Sequence, residues 1–171
     1  MERFWTFESS AVSVFGVDFL DPAVAHEPDA RERGVRLEVR PLAMQPVGSV
    51  YASPTMSLAP ALVRVDLLES APFAADRMHW HPQMSGGEPG DRTFDPALSR
   101  DPGEWLDTFL SELEPVLRRA HPSDVVDAMT DDLDRIAAAR GEIVEAALTV
   151  LSVAREPWPE VTHDARGLAS F

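Results

Sequence analysis

Cysteine, lysine and asparagine do not occur in this chain. Without Cys there is no thiolate nucleophile, no zinc–cysteine knot and no cysteine-held iron–sulfur cluster. Without Lys there is no Schiff-base residue, hence no ordinary pyridoxal enzyme, and neither the P-loop lysine nor the kinase lysine. All 15 basic residues are therefore Arg, and they face 29 acids, for a formal charge of −14. Such a surface repels phosphate backbones and anionic lipid heads, so neither nucleic acid nor membrane is an expected partner. Long apolar runs are missing too. The densest, Ile143 to Ala154, is broken by Glu145, Thr149 and Ser152, and a membrane span needs about 20 residues. The opening Met1-Glu2-Arg3-Phe4-Trp5 has none of the regions of a signal peptide, so a cytoplasmic location is expected, in line with the missing Cys. No G-x-S-x-G elbow occurs. Gly86-Gly87-Glu88-Pro89-Gly90 lacks phosphate-loop spacing, and its Glu would repel phosphate.

What is present suffices for one core. With 171 residues, 44% of them hydrophobic, a single domain over 1–171 is expected. Its parts are a strand-rich segment 1–81, a loop 82–103, a helical segment 104–156 and a tail 157–171. Residues 3–19, which begin with aromatics and continue with β-branched residues, read as a long strand or a bent pair. Residues 22–33 read as a loop or one helical turn. Val35, Leu37 and Val39 alternate with Arg36, Glu38 and Arg40, the pattern of a half-buried strand. Val50 to Met56, weakened by Pro54, reads as an edge strand. Leu62 to Glu69 and Arg77 to His81 read as two more. Their short connections favour antiparallel pairing.

From Asp101 the hydrophobic period lengthens to that of a helix. Asp101, Pro102 and Glu104 form a helix-start signal. Trp105, Leu106, Phe109, Leu110, Leu113 and Leu117 follow as an apolar stripe. Pro115 should kink or split that helix, and His121-Pro122-Ser123 should end one helix and start another. Asp131 and Arg135 are spaced as an i,i+4 pair, Gly141 is a point of interruption, and Pro157-Trp158-Pro159 is the stop. The expected fold is α+β, with about five antiparallel strands packed on two to four helices. Leu37, Val65, Phe109 and Leu148 are its expected core, with Trp105 and Phe109 as helix anchors.

One constellation carries chemistry. His79 and His81 flank Trp80, and residues two apart on a strand project from one face. Two of only five histidines thus stand close enough to hold one divalent metal, such as Zn, Fe, Mn or Ni. A carboxylate would complete a two-His-one-carboxylate set. Glu69, Asp76, Glu88, Asp91 and Asp95 are the candidates, with Glu88 and Asp91 favoured because a loop can reach over a strand end. The metal set is then His79, His81, Glu88 and Asp91. One imidazole acting alone as a general base is a second reading, and a pair of ordinary strand-end imidazoles is a third. His79-Trp80-His81 resembles the opening of the cupin metal motif, an H-x-H followed by Glu and a later His in a β-barrel. Six residues separate His81 from Glu88, the remainder is helical, and the resemblance ends after about ten residues. His121 reads as a cap or surface residue, and His163-Asp164 as surface. His26 carries no assignment.

Two functions follow as expectations. One is a small metal- or histidine-dependent enzyme acting on a small molecule through His79 and His81. The other is a non-catalytic module that binds a basic protein through 101–134. That segment holds ten acids against Arg118 and Arg119, −8 of the −14.

Overall fold

The computed structural model describes residues 2–20, 30–45, 48–49, 51–163 and 169–170, with the side chains of 163, 169 and 170 excepted. Strands β1 (Glu2–Thr6) and β2 (Ser10–Leu20) form a hairpin, so residues 3–19 are the bent pair. β2 pairs with β3 (Arg31–Gln45), which extends well beyond the alternating core read from the sequence. The expected loop 22–33 lies mostly outside the described residues, and its last three residues belong to β3. Among the described residues, β4 (Thr55–Leu58) pairs only with the far end of β3. It is the edge strand expected around 50–56, displaced toward its C-terminal side. β5 (Val63–Glu69) and β6 (His79–His81) complete an antiparallel sheet of order β1-β2-β3-β5-β6.

The stretch 82–103 is more ordered than a loop. It holds a small hairpin, β7 (Met84–Ser85) and β8 (Glu88–Pro89), and a helix, α1 (Pro96–Arg100). Gly86 and Gly87 make the hairpin turn at φ 61° and 93°, a region closed to most side chains. α1 starts as the next helix does, with an Asp cap and a Pro. Asp95 accepts the Ala97 N–H, and Asp101 accepts the Glu104 N–H at the head of α2 (Pro102–Ser111). The helical stripe then splits at Glu112. α3 (Leu113–Ala120) begins there with Pro115 in its first turn, where a missing N–H costs no hydrogen bond. α4 (Ser123–Asp127) restarts after Pro122, and α5 (Thr130–Ala154) runs through Gly141 without interruption. The tail adds β9 (Thr162–His163) and β10 (Ala169–Ser170).

Register decides what each face of the sheet carries, because cross-strand partners share a face. One set of rows is Val14–Leu37–Val65–Trp80 and Val12–Val39–Val63. Its aliphatic members are at most 1% exposed and pack under Leu106, Phe109, Leu110, Ile136, Ile143 and Ala147 of the helices. This is the core, and Leu37, Val65 and Phe109 lie in it as expected. Leu148 does not. It is 38% exposed and leans over Gly103, where an added Cβ would sit 3.2 Å from its Cδ1. The buried stripe of α5 runs through Ile143, Ala147, Val150, Leu151 and Ala154, and Leu148 lies on its shoulder.

The expected Asp131–Arg135 pair is replaced. Arg135 reaches the adjacent acid, Asp132, at 3.2 Å, and Glu8 at 3.7 Å. Asp132 is fully buried and clamps α5 to the β1–β2 turn. It accepts the Ser9 N–H at 2.7 Å, the Glu8 N–H at 3.2 Å and the Ser9 and Ser10 hydroxyls at 3.0 Å.

Candidate functional site

The opposite face of the same sheet is polar. Its rows read Phe15–Arg36–Asp66–His79 and Ser13–Glu38–Arg64–His81. Strict alternation on β5 and β6 sends Val65, Met78 and Trp80 to the core and leaves Asp66, His79 and His81 together on the other side. All three are buried, at 1%, 3% and 3% exposure.

The orientation of the two rings is set by the backbone. His79 Nδ1 lies 2.8 Å from the Arg77 carbonyl, and His81 Nδ1 lies 2.9 Å from the Gly90 carbonyl. A carbonyl can only accept, so each Nδ1 carries the proton. In a neutral ring Nε2 is then a bare lone pair. The two Nε2 atoms lie 3.6 and 3.7 Å from the same oxygen, Asp66 Oδ2. These distances exceed a hydrogen bond. The rings stand nearly perpendicular, at 82°, with centroids 4.9 Å apart. Burial pushes the His81 pKa below the usual imidazole value. The neighbouring His79 and Arg64 push the same way, against the Gly90 carbonyl and Asp66. Three acceptor atoms therefore converge within 4.8 Å of one another.

The remaining oxygen of Asp66 is also held. Arg36 Nε donates to Oδ1 at 2.7 Å, and its Nη2 is 3.4 Å from Oδ2. Next to this pair, Glu38 accepts from Arg64 Nε at 2.8 Å and from Arg40 Nη2. Phe94 lies against His79, with ring centroids 5.6 Å apart.

The carboxylate at the two imidazoles is thus Asp66, which was not among the candidates named from sequence. Glu88 and Asp91 are exposed and stand outside the group. Glu69 sits on the right strand but on the wrong face, three residues from Asp66. There it is buried, accepts from the Phe73 and Ala75 N–H groups, and pairs with Arg155 at 2.6 Å. It thereby holds the turn before β6, where Phe73 and Ala75 adopt φ of 65° and 48°. These values are strained for non-glycine residues. Asp76 accepts from the Ser70 N–H and hydroxyl. Asp95 caps α1 and accepts the Trp105 indole N–H at 2.8 Å. His121 ends α3 and ties it to the Leu62 carbonyl. His26 and Asp164 lie outside the described residues, and of His163 only the backbone is described.

A groove of about 1000 Å³ lies elsewhere. It lies on the core side of β6, where Trp80 meets Trp105 and Phe109, and it excludes His79 and His81. Its rim includes Asp101, Glu104, Glu112, Arg100 and Arg119. Among the described residues, no helix is long and apolar enough to cross a membrane. No protein-family model matches the chain, and comparison with curated proteins and with solved structures finds no significant match.

Proposed function

We propose that Asp66, His79 and His81 bind one divalent transition-metal ion, and that the protein acts on a small molecule at that ion. The observation that carries this reading is the convergence of two Nε2 lone pairs on one carboxylate oxygen, with both Nδ1 atoms already committed to carbonyls. Buried lone pairs that face one another repel, and a cation between them removes the repulsion. Metal-binding imidazoles are commonly fixed in this way through their other nitrogen. The two nitrogen–oxygen spacings also fit. Bonds of about 2.0–2.1 Å in a tetrahedral site put ligand atoms about 3.3 Å apart, so the 3.6 and 3.7 Å separations need to close by only a few tenths of an ångström. A nitrogen–nitrogen–oxygen donor set suits Zn, Fe(II), Mn or Ni, and three protein ligands leave a position for substrate or water.

The test is a thermal melt of untagged protein against each metal. At a free metal concentration of about 100 Kd, binding to the native state alone adds about 2.7 kcal/mol. For a chain of this size that corresponds to a rise of about 5–11 °C in Tm. Alanine at His79 or His81, or asparagine at Asp66, should remove the rise. A wild-type melt that no metal shifts would defeat the proposal.

A second reading is favoured by the aromatic groove. Trp105 and Phe109 stack at 11° in it, and three of the ten acids of 101–134, Asp101, Glu104 and Glu112, line it. Five of those ten acids have partners or structural duties, namely Asp101, Asp107, Glu114, Asp127 and Asp132. Glu104, Glu112, Asp124, Asp131 and Asp134 remain exposed for a basic protein partner. Binding of such a partner should slow as salt rises, and an association rate indifferent to salt would count against this reading.

A further inference from the structure

We infer that the ligand taken at this ion is an oxyanion, a carboxylate or phosphate group, held jointly by the metal and by Arg64 with Arg36 beside it. The inference rests on the metal reading above and adds the chemical class of what the site accepts.

Charge carries the argument first. On β3, β5 and β6 the two rows of the site hold Arg36, Arg64, Glu38 and Asp66, and Arg40 joins Glu38. Three guanidinium groups against two carboxylates leave one positive charge, in a chain whose formal charge is −14. A divalent ion between neutral imidazoles raises the local excess to three. Positive charge of that density beside buried ligands favours an anionic counter-ligand, although Arg36 and Arg40 are each about a quarter exposed.

Geometry carries it next. Arg64 is the direct cross-strand partner of His81 and lies two residues from Asp66 on the same face. Its Nε is committed to Glu38, while neither terminal nitrogen has a protein partner among the described residues. Its side chain is 13% exposed, and its terminal nitrogens are not among the buried atoms left without a partner, so both keep access to solvent and to an incoming anion. Arg36 Nη2 already lies 3.4 Å from the oxygen that faces both imidazoles. When that oxygen turns to a metal, an oxyanion on the ion offers this donor a new acceptor. The planar guanidinium fork suits two oxygens of one carboxylate or phosphate.

The experiment uses the full chain loaded with Co(II), whose visible spectrum reports changes in its ligands. Inorganic phosphate and acetate are titrated at fixed ionic strength, with chloride as the control. The expected result is a saturable spectral change with phosphate or acetate and none with chloride. At saturating cobalt, Arg64→Gln should weaken that binding by about tenfold or more, the effect of losing charge-assisted hydrogen bonds to an anion. Arg64→Lys, which keeps the charge but loses the fork, should weaken it less, and it serves as the test should the Gln variant fail to fold. Preference for phosphate or for acetate names the source of the oxyanion. Cobalt binding with no response to either anion, or an undiminished response in Arg64→Gln, overturns this inference and leaves the metal site standing. Failure to take up cobalt at all overturns both.

Discussion

Removing the Asp132 carboxylate should release the first turn of the long helix from the sheet. In the native protein this group accepts two backbone N–H groups and two hydroxyls and contacts Arg135. In Asp132→Ala the Ser9 hydroxyl keeps its bond to the Ala128 carbonyl, and the exposed Glu8 segment regains water. The Ser9 N–H and the buried Ser10 hydroxyl lose their acceptor. An unsatisfied buried donor costs about 1–3 kcal/mol, and breaking a buried charged network costs about 3–5 kcal/mol. The expected loss is therefore about 3–5 kcal/mol, and Asp132→Asn, which keeps one acceptor oxygen, should lose less. Burial raises the Asp132 pKa, but the bonds from Ser9, Glu8 and Ser10 outweigh it and hold the pKa below the usual carboxylate value. A depressed native pKa contributes stability that is present above the unfolded value of about 3.9 and is lost as pH falls through the native value. Urea unfolding from pH 7 to pH 2 should show this acid-side loss in the wild type and a smaller one in Asp132→Ala. A loss under about 1 kcal/mol at pH 7, with an unchanged acid limb, would show that the clamp is not as described.

Three further outcomes can be measured. Leu151→Ala, at a fully buried position, should cost about 2–5 kcal/mol, whereas Leu148→Ala should cost less, about 1–2 kcal/mol, because more than a third of that side chain stays in water. Equal costs in denaturant melts would contradict the α5 face assigned above. Gly34→Ala should destabilise by at least about 1–3 kcal/mol, since a Cβ there would lie 1.9 Å from the Leu67 carbonyl oxygen. A neutral result would mean that the β3–β5 register is wrong. Metal affinity should fall in acid because protons compete for the imidazoles. His81 has a lowered pKa, so its share of that fall should begin below about pH 6.5. Calorimetric titration between pH 5 and pH 7.5 would refute this if His81 protonated above that value.

The fold was largely legible because hydrophobic period separates its halves. Val35, Leu37 and Val39 alternate, whereas Ile143, Ala147, Leu151 and Ala154 recur at helical spacing. The Asp-Pro start of α2 was legible, while the same signal at Asp95-Pro96 lay hidden in a Gly- and Pro-rich stretch. The two imidazoles were legible as a pair because their spacing matches the strand period. Their carboxylate was not, because it depends on register. Asp66 faces His79 only through the pairing fixed by the turn 70–78, and in the sequence it reads as one more polar residue of an alternating strand. The parity of β5 held the missing clue. Positions 64, 66 and 68 share a face, and Glu69 falls on the other. Leu148 was misplaced because a stripe drawn at every i, i+3 and i+4 is wider than the face that α5 buries.

The most direct test of the metal reading is X-ray absorption spectroscopy of the metal-loaded, untagged protein, with metal content measured on the same sample. The account predicts one ion per chain, with two imidazole nitrogens and at least one oxygen at about 2.0–2.2 Å. It also predicts loss of the imidazole signal in the His79→Ala, His81→Ala double variant. A folded protein that holds no stoichiometric metal, or a double variant with the same coordination as wild type, would contradict it.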